Sequence, residues 1–105
     1  MDKKKSIKIV KEFTKKVRED FEIYSVIFFG SRAKGNQKKE SDIDVIIVSD
    51  DFKGLSFSQR GSKMYNYWDY LIPVDFICLT IDEYNKLKDK ITIVGRAIKE
   101  GILFN

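Results

Sequence analysis

Two aspartates at the start of an apolar run are the first residues of this sequence suited to chemistry. Asp42 and Asp44 flank Ile43, and alternate residues of a strand project to the same face. Two ionised carboxylates side by side repel each other. The repulsion is relieved when one of them becomes protonated, when both stay solvated or when a cation lies between them. Mg²⁺ binds one or two carboxylates together with phosphate oxygens. The pair therefore suggests a magnesium and phosphate site, although an Asp-x-Asp pair is also common in surface turns.

A third aspartate, Asp75, lies near the start of another apolar run, residues 74–79. Its neighbours are apolar on both sides, so we expect a free ionised carboxylate there to be unfavourable. If this run forms a strand beside the one that carries Asp42 and Asp44, three carboxylates converge. Such a set suits a two-metal site for phosphoryl transfer. The alternative is an aspartate on an edge strand that faces water.

Gly30 and Ser31 end the apolar run at residues 23–29. Glycine lets the backbone turn without a Cβ clash, and a helical turn after it would direct amide groups and the Ser31 hydroxyl toward phosphate oxygens. Arg32 and Lys34 stand where they would add positive charge to the same phosphates. The alternative for both cations is an ordinary solvated loop.

The apolar pattern around these residues predicts alternating helices and strands. An amphipathic helix is indicated by apolar residues at steps of three and four, namely Ile7, Val10, Phe13, Val17 and Phe21. β-Branched and aromatic residues predict buried strands at 23–29, 43–48 and 74–79. A capping box at Thr80 and Glu83 begins a helical stripe that extends to Ile98 with a break near Lys90, and residues 102–104 predict a final edge strand.

Residues 52–70 fit no single element, because Gly54 and Gly61 interrupt a helical stripe. The segment holds an aromatic cluster, which is either core packing or an exposed platform for a partner or a base; packing is the more common use of such clusters. Its members are Tyr65, Tyr67, Trp68 and Tyr70. The order of elements predicts the α+β class, with a small mixed sheet and helices packed on it, and we expect residues 1–105 to form one domain.

Composition excludes several kinds of chemistry. The chain has 105 residues, no histidine and one cysteine, so a Ser-His-Asp triad, a histidine-based zinc site and an internal disulfide are excluded. The single cysteine is typical of a reducing cytoplasm, and no apolar run approaches the length of a membrane span. The net charge of +4 comes from 20 Lys+Arg against 16 Asp+Glu. We do not expect nucleic-acid binding, since no aromatic residues alternate with the lysines of the first helix.

Taken together, Gly30-Ser31, ten intervening residues, Asp42-x-Asp44 and a third aspartate in an apolar strand form a specific pattern. It resembles the nucleotidyltransferases of the DNA polymerase beta superfamily. The stretch from Gly30 to Gly35, followed by residues 41–45, is most similar to the minimal nucleotidyltransferases of prokaryotes. The resemblance covers nearly the whole chain, including an ending similar to residues 97–104.

This resemblance implies a catalytic palm alone, the α/β palm of the nucleotidyltransferase fold, as a single minimal domain over residues 1–105. It implies that Asp42, Asp44 and Asp75 bind Mg²⁺, with Asp75 completing the metal site. Nucleotide binding would fall to Gly30 and Ser31, with Arg32 next to them. The implied reaction is attack of a hydroxyl on the α-phosphorus of a nucleoside triphosphate, with ATP the expected substrate.

Family membership also implies a partner. Many stand-alone members pair with a small helical HEPN-type ribonuclease toxin and act as its antitoxin, some of them by transferring AMP to a toxin tyrosine. We therefore expect a cytoplasmic protein that forms a hetero-oligomer with such a toxin. The alternative is an antitoxin that neutralises its partner by occlusion, for which three converging carboxylates are unnecessary. Modification of a small molecule is disfavoured, because nothing here supplies a second substrate-binding domain.

Overall fold

The computed structural model describes residues 2–35 and 41–105. Within these two ranges, the order of elements is α1 (Lys3–Arg18), β1 (Ser25–Phe29), α2 (Ser31–Lys34), β2 (Ile43–Val48), a 3₁₀ turn (Asp50–Phe52), α3 (Phe57–Tyr65), β3 (Val74–Leu79), α4 (Ile81–Leu87), α5 (Ile93–Glu100) and β4 (Ile102–Phe104). A helix follows each of the first three strands, and two helices lie between β3 and β4.

The strands form one mixed sheet in the order β3-β2-β1-β4. β1 runs antiparallel to both β2 and β4, whereas β2 and β3 are parallel and are joined by the crossover that contains α3. A parallel pair needs such a long connection, because a tight hairpin can only join antiparallel strands. The α+β class and the small mixed sheet predicted from the sequence are confirmed.

Each face of the sheet is covered by helices, which explains why β2 reads as a continuous apolar run. One face carries Ile43, Val45 and Ile47 and packs against α1. The opposite face carries Ile46 and Val48 and packs against α5. Because side chains alternate along a strand, Asp44 belongs to this second face, as the sequence predicts.

Two elements differ from the sequence prediction. α1 ends at Arg18 rather than reaching Phe21; the amides of Asp20 and Phe21 both donate to the carbonyl of Val17, which closes the helix with a turn. In the unassigned segment, α3 begins at a capping box formed by Ser56 and Gln59. The predicted break near Lys90 and the final edge strand at residues 102–104 are both confirmed.

The aromatic cluster is mainly packing. Trp68 lies edge-on to Phe13 with ring centroids 5.3 Å apart, and Tyr67 lies edge-on to Phe21 at 5.8 Å. These contacts tie the segment after α3 to α1. Tyr65 differs from the others, since 52% of its surface is exposed. Across the described ranges, no helix has the length and apolarity needed to cross a membrane.

Candidate active site

Asp44 and Asp75 stand side by side on adjacent strands. The parallel register pairs Asp44 with Asp75 directly, and neighbouring strands lie about 4.8 Å apart. Asp42 precedes Asp44 by two residues, just before β2 begins. The sheet therefore brings the three predicted carboxylates to one end of the β2–β3 pair.

The three carboxylates have unequal surroundings. Asp44 is partly buried, whereas Asp42 and Asp75 are exposed. Burial raises the pKa of Asp44 to about 6, and the negative charges of Asp75 and Asp42 add to the rise. Of the two alternatives that the sequence leaves open for Asp75, the structure has the aspartate on an edge strand that faces water. β3 is an edge strand, so Asp75 is open to water, while β2 is an inner strand with a neighbour on each side.

Gly30 faces Asp44 from the other side. The antiparallel register pairs Phe29 with Asp44, so the backbone turns away from β1 directly next to this carboxylate. Gly30 has φ of 83°, which favours glycine, and a Cβ at this position would overlap the Oδ2 atom of Asp44. Position 30 thus requires glycine for two independent reasons, its backbone conformation and the space that Asp44 occupies.

Ser31 begins the short helix α2 and is half-buried at the same turn, with Gly30 as its N-cap residue. Arg32, predicted to contact the nucleotide, is only 4% exposed, and its Nε donates a hydrogen bond to the carbonyl of Ser41. This bond joins α2 to the residue before Asp42. Arg32 thus holds the turn and the aspartates together, and its role as a nucleotide ligand stays a prediction. Lys34 is exposed.

Tyr65, which the sequence indicates only as one member of the aromatic cluster, is a neighbour of the site. Its hydroxyl donates a 2.6 Å hydrogen bond to the carbonyl of Val74, the residue before Asp75. Burial raises the pKa of Tyr65, and the nearby charges of Asp75 and Asp42 raise it further. The aromatic cluster draws attention to this residue, but its position depends on how α3 crosses to β3.

The donor set fits a divalent cation. No three His, Cys, Asp or Glu side chains among the described residues already stand in a coordinating arrangement. Three carboxylates repel one another, and the charges of Asp75 and Asp42 add to the rise that burial causes in the pKa of Asp44. Oxygen ligands of this charge are what Mg²⁺ prefers. Asp42, Asp44 and Asp75 would hold the ion, since its positive charge relieves this repulsion.

Residues 10–101 match the model of the nucleotidyltransferase domain family, and this span includes all six predicted site residues. The match covers most of the chain, so the protein belongs to the nucleotidyltransferase domain family and is a nucleotidyltransferase enzyme.

Similar proteins agree with this assignment. The chain is 34% identical to the "Putative protein adenylyltransferase MJ1379" of Methanocaldococcus jannaschii over 96 residues, 91% of this chain and 90% of that protein. It is 38% identical over 39 residues to "Putative protein adenylyltransferase MJ1215" from the same organism, 37% of this chain and 45% of that one. A solved "putative nucleotidyltransferase" from Sulfolobus solfataricus superposes with a TM-score of 0.67 at 30% identity, covering 85% of this chain and 79% of that one.

Proposed function

We propose that this protein is a Mg²⁺-dependent adenylyltransferase that transfers AMP from ATP to a hydroxyl group on a partner protein. The observation that carries the proposal is the placement of Asp44 between Asp75 and the Gly30 turn, with Asp42 close by. Such a site presents three carboxylates next to the Gly30 turn, where the positive φ of glycine lets the backbone come close to a ligand. The names of the Methanocaldococcus relatives support protein as the acceptor and adenylyl as the transferred group.

In the proposed reaction, the acceptor oxygen attacks the α-phosphorus of ATP and forms a new phosphoester bond. The bond between the α-phosphorus and the α,β-bridging oxygen breaks, and pyrophosphate leaves with that oxygen and its electron pair. Bound Mg²⁺ would supply positive charge to the triphosphate and to the attacking and leaving oxygens. Asp42 and Asp44 would hold this ion next to the triphosphate.

The acceptor must lose its proton as the phosphoester bond forms. Asp75 lies on the exposed edge strand, where an incoming hydroxyl can reach it, and its carboxylate is placed to accept the proton and pass it to water. Asp44 is less suited to this role, because it is partly enclosed and Gly30 lies against it. The two aspartates thus have different proposed roles, which follow from their different exposure.

For the partner, we propose a small helical HEPN-type toxin, with this chain as its antitoxin in a hetero-oligomer. The resemblance to minimal nucleotidyltransferases supports this. We place the reaction in the cytoplasm, where a free cysteine such as buried Cys78 stays reduced.

Label transfer tests this function. The protein is incubated with Mg²⁺ and ATP labelled at the α-phosphate, with and without the helical protein encoded by the neighbouring gene. ATP labelled at the γ-phosphate serves as a second substrate that separates adenylylation from phosphorylation. Asp42→Asn is the test variant. Asp82→Asn is its matched control, since Asp82 lies on the exposed surface of α4 and pairs there with Lys86.

Transfer of the α-label alone to the partner, lost in Asp42→Asn and kept in Asp82→Asn, supports the proposal. A tight complex without any transferred label would instead favour neutralisation by occlusion. Transfer of the γ-label would contradict adenylylation. Undiminished transfer in Asp42→Asn would show that the carboxylate pair is not the catalytic site.

A further inference from the structure

The pocket between the end of β1 and helix α5 has no part in the chemistry described above. We propose that it binds the nucleoside part of the substrate, the base and the ribose, while the triphosphate lies at the Gly30 turn. This inference rests on the proposed function, because it assumes that a nucleoside triphosphate is bound.

The pocket adjoins the candidate active site. It is lined on one side by Phe29, Gly30 and Ala33, and on the other by Ile93 and Ala97 of α5. Gly30 is therefore shared between this pocket and the turn that faces Asp44. The volume of the pocket is about 270 Å³, slightly below the ~300–1,000 Å³ typical of small-molecule sites. It therefore suits one end of a nucleotide rather than a whole one.

The lining matches the chemistry of a nucleoside. The walls are apolar and would pack against the flat faces of a base, and the charged residues Lys34, Arg96 and Glu100 also border the pocket. Arg96 and Glu100 form an exposed ion pair at 3.7 Å. Such a pair contributes little to stability, so both side chains are free to turn toward the polar edge of a base. Lys34 is exposed and adjoins Gly30, on the path to the phosphates.

The order of the strands separates this pocket from the acceptor. Gly30 follows β1, Asp44 lies on β2 and Asp75 lies on β3, so the three positions follow one another across the sheet. β1 and β3 are about 10 Å apart. A nucleoside held beside β1 would leave its α-phosphate near β2 and keep the β3 side free. An acceptor side chain placed in the pocket would instead be two strands away from Asp75.

Binding measurements on the full chain separate the contribution of the nucleoside to affinity from the contribution of the phosphates. Dissociation constants are measured by calorimetry for ATP and for inorganic tripolyphosphate, each with Mg²⁺. Ala33→Leu fills the pocket from within. Ile93→Ala removes part of a wall at a position that is 81% exposed, so folding is not at issue. Ile91→Ala is the matched control, because Ile91 is fully exposed, lies two residues away and does not line the pocket.

We expect ATP to bind at least about tenfold more weakly to Ala33→Leu and about threefold more weakly to Ile93→Ala. Tripolyphosphate should bind as in the wild type, and Ile91→Ala should change neither constant. Unchanged ATP binding in Ile93→Ala would overturn the inference, and so would an equal loss of both ligands. If the wild type binds neither ligand, the proposed function itself fails. This result differs from one in which ATP binds to the wild type and the pocket variants do not change its dissociation constant.

Discussion

The carboxylate of Asp44 fills the space that a side chain at position 30 would need. Gly30 also has a positive φ, so the turn after β1 and the central aspartate of β2 are fitted to each other. Any residue other than glycine would force the carboxylate of Asp44 out of its present position. This contact makes the backbone turn and the carboxylates one structural unit, although they are far apart in the sequence.

Substitution of Gly30 tests this relationship. We expect Gly30→Ala to reduce nucleotidyl transfer by about 100-fold, since displacement of a reacting group by about 1 Å has an effect of that size. Gly54→Ala is the matched control: Gly54 has a similar φ of 79°, but nothing lies within 4 Å of its would-be Cβ. Both variants should lose about 1 kcal/mol of stability from backbone strain. Equal activity in the two variants would contradict the role of the contact.

The raised pKa of Asp44 predicts how stability depends on pH when metal is absent. The folded state holds its proton up to a pKa of about 6, whereas the unfolded chain releases it near 3.8. Between these two pH values, the folded state therefore binds more protons than the unfolded chain. The contribution of Asp44 to the free energy of unfolding falls as pH rises through this range, and it is lost above about pH 6. We expect a loss of about 1–2 kcal/mol for this partly exposed group.

Urea unfolding in EDTA at pH 4.5 to 7.5 measures this loss, with Asp44→Asn as the comparison. Other carboxyls also titrate, so the difference between the two proteins is the quantity to follow. At pH 7.5 without metal, Asp44→Asn should be the more stable protein, although inactive. Mg²⁺ with ATP should reverse this order by stabilising the wild type alone. If the free energy of unfolding depends on pH in the same way for both proteins, ionisation of Asp44 does not destabilise the folded state.

Arg60 has a structural role outside the site. Its guanidinium is buried and donates to the carbonyl of Cys78 and to the carboxylate of Glu83, at 3.0 and 2.6 Å. Arg60→Met should lower the free energy of unfolding by about 2–3 kcal/mol, because it removes the guanidinium from the Cys78 carbonyl and leaves Glu83 with only the Thr80 amide as a donor among the described residues. Lys86→Met, which breaks the exposed pair with Asp82, should have little effect in the same urea titration. Equal stabilities would contradict the role assigned to Arg60.

Cys78 should be unreactive in the native protein. It is buried in β3, and burial raises the pKa of its thiol to about 12, so almost no thiolate is present near neutral pH. A disulfide reagent such as Ellman's reagent should label it only after unfolding in urea. Rapid labelling under native conditions would show that β3 opens readily at this edge of the sheet.

The sequence by itself determined the strands that carry the aspartates and the fold class. Runs of β-branched residues predict β2 and β3, and the two-residue spacing places Asp42 and Asp44 on one face, because strand side chains alternate. The start of α4 was also predictable from the sequence, since the capping box formed by Thr80 and Glu83 begins this helix as predicted. α3 was missed because its start depends on Ser56 and Gln59, while Gly54 and Gly61 obscured the pattern.

Only the tertiary structure decided which carboxylate is desolvated, where Arg32 points and what lies against Gly30. Strand order makes β3 an edge and β2 an inner strand, so Asp75 is exposed, whereas Asp44 is partly buried and its pKa is raised. Arg32 turns inward to the Ser41 carbonyl. Each of these facts depends on contacts between segments distant along the chain. The spacing of apolar residues indicates which face of a helix or strand a residue occupies. The burial of that residue and the charges near it depend on which other segments of the chain pack beside it.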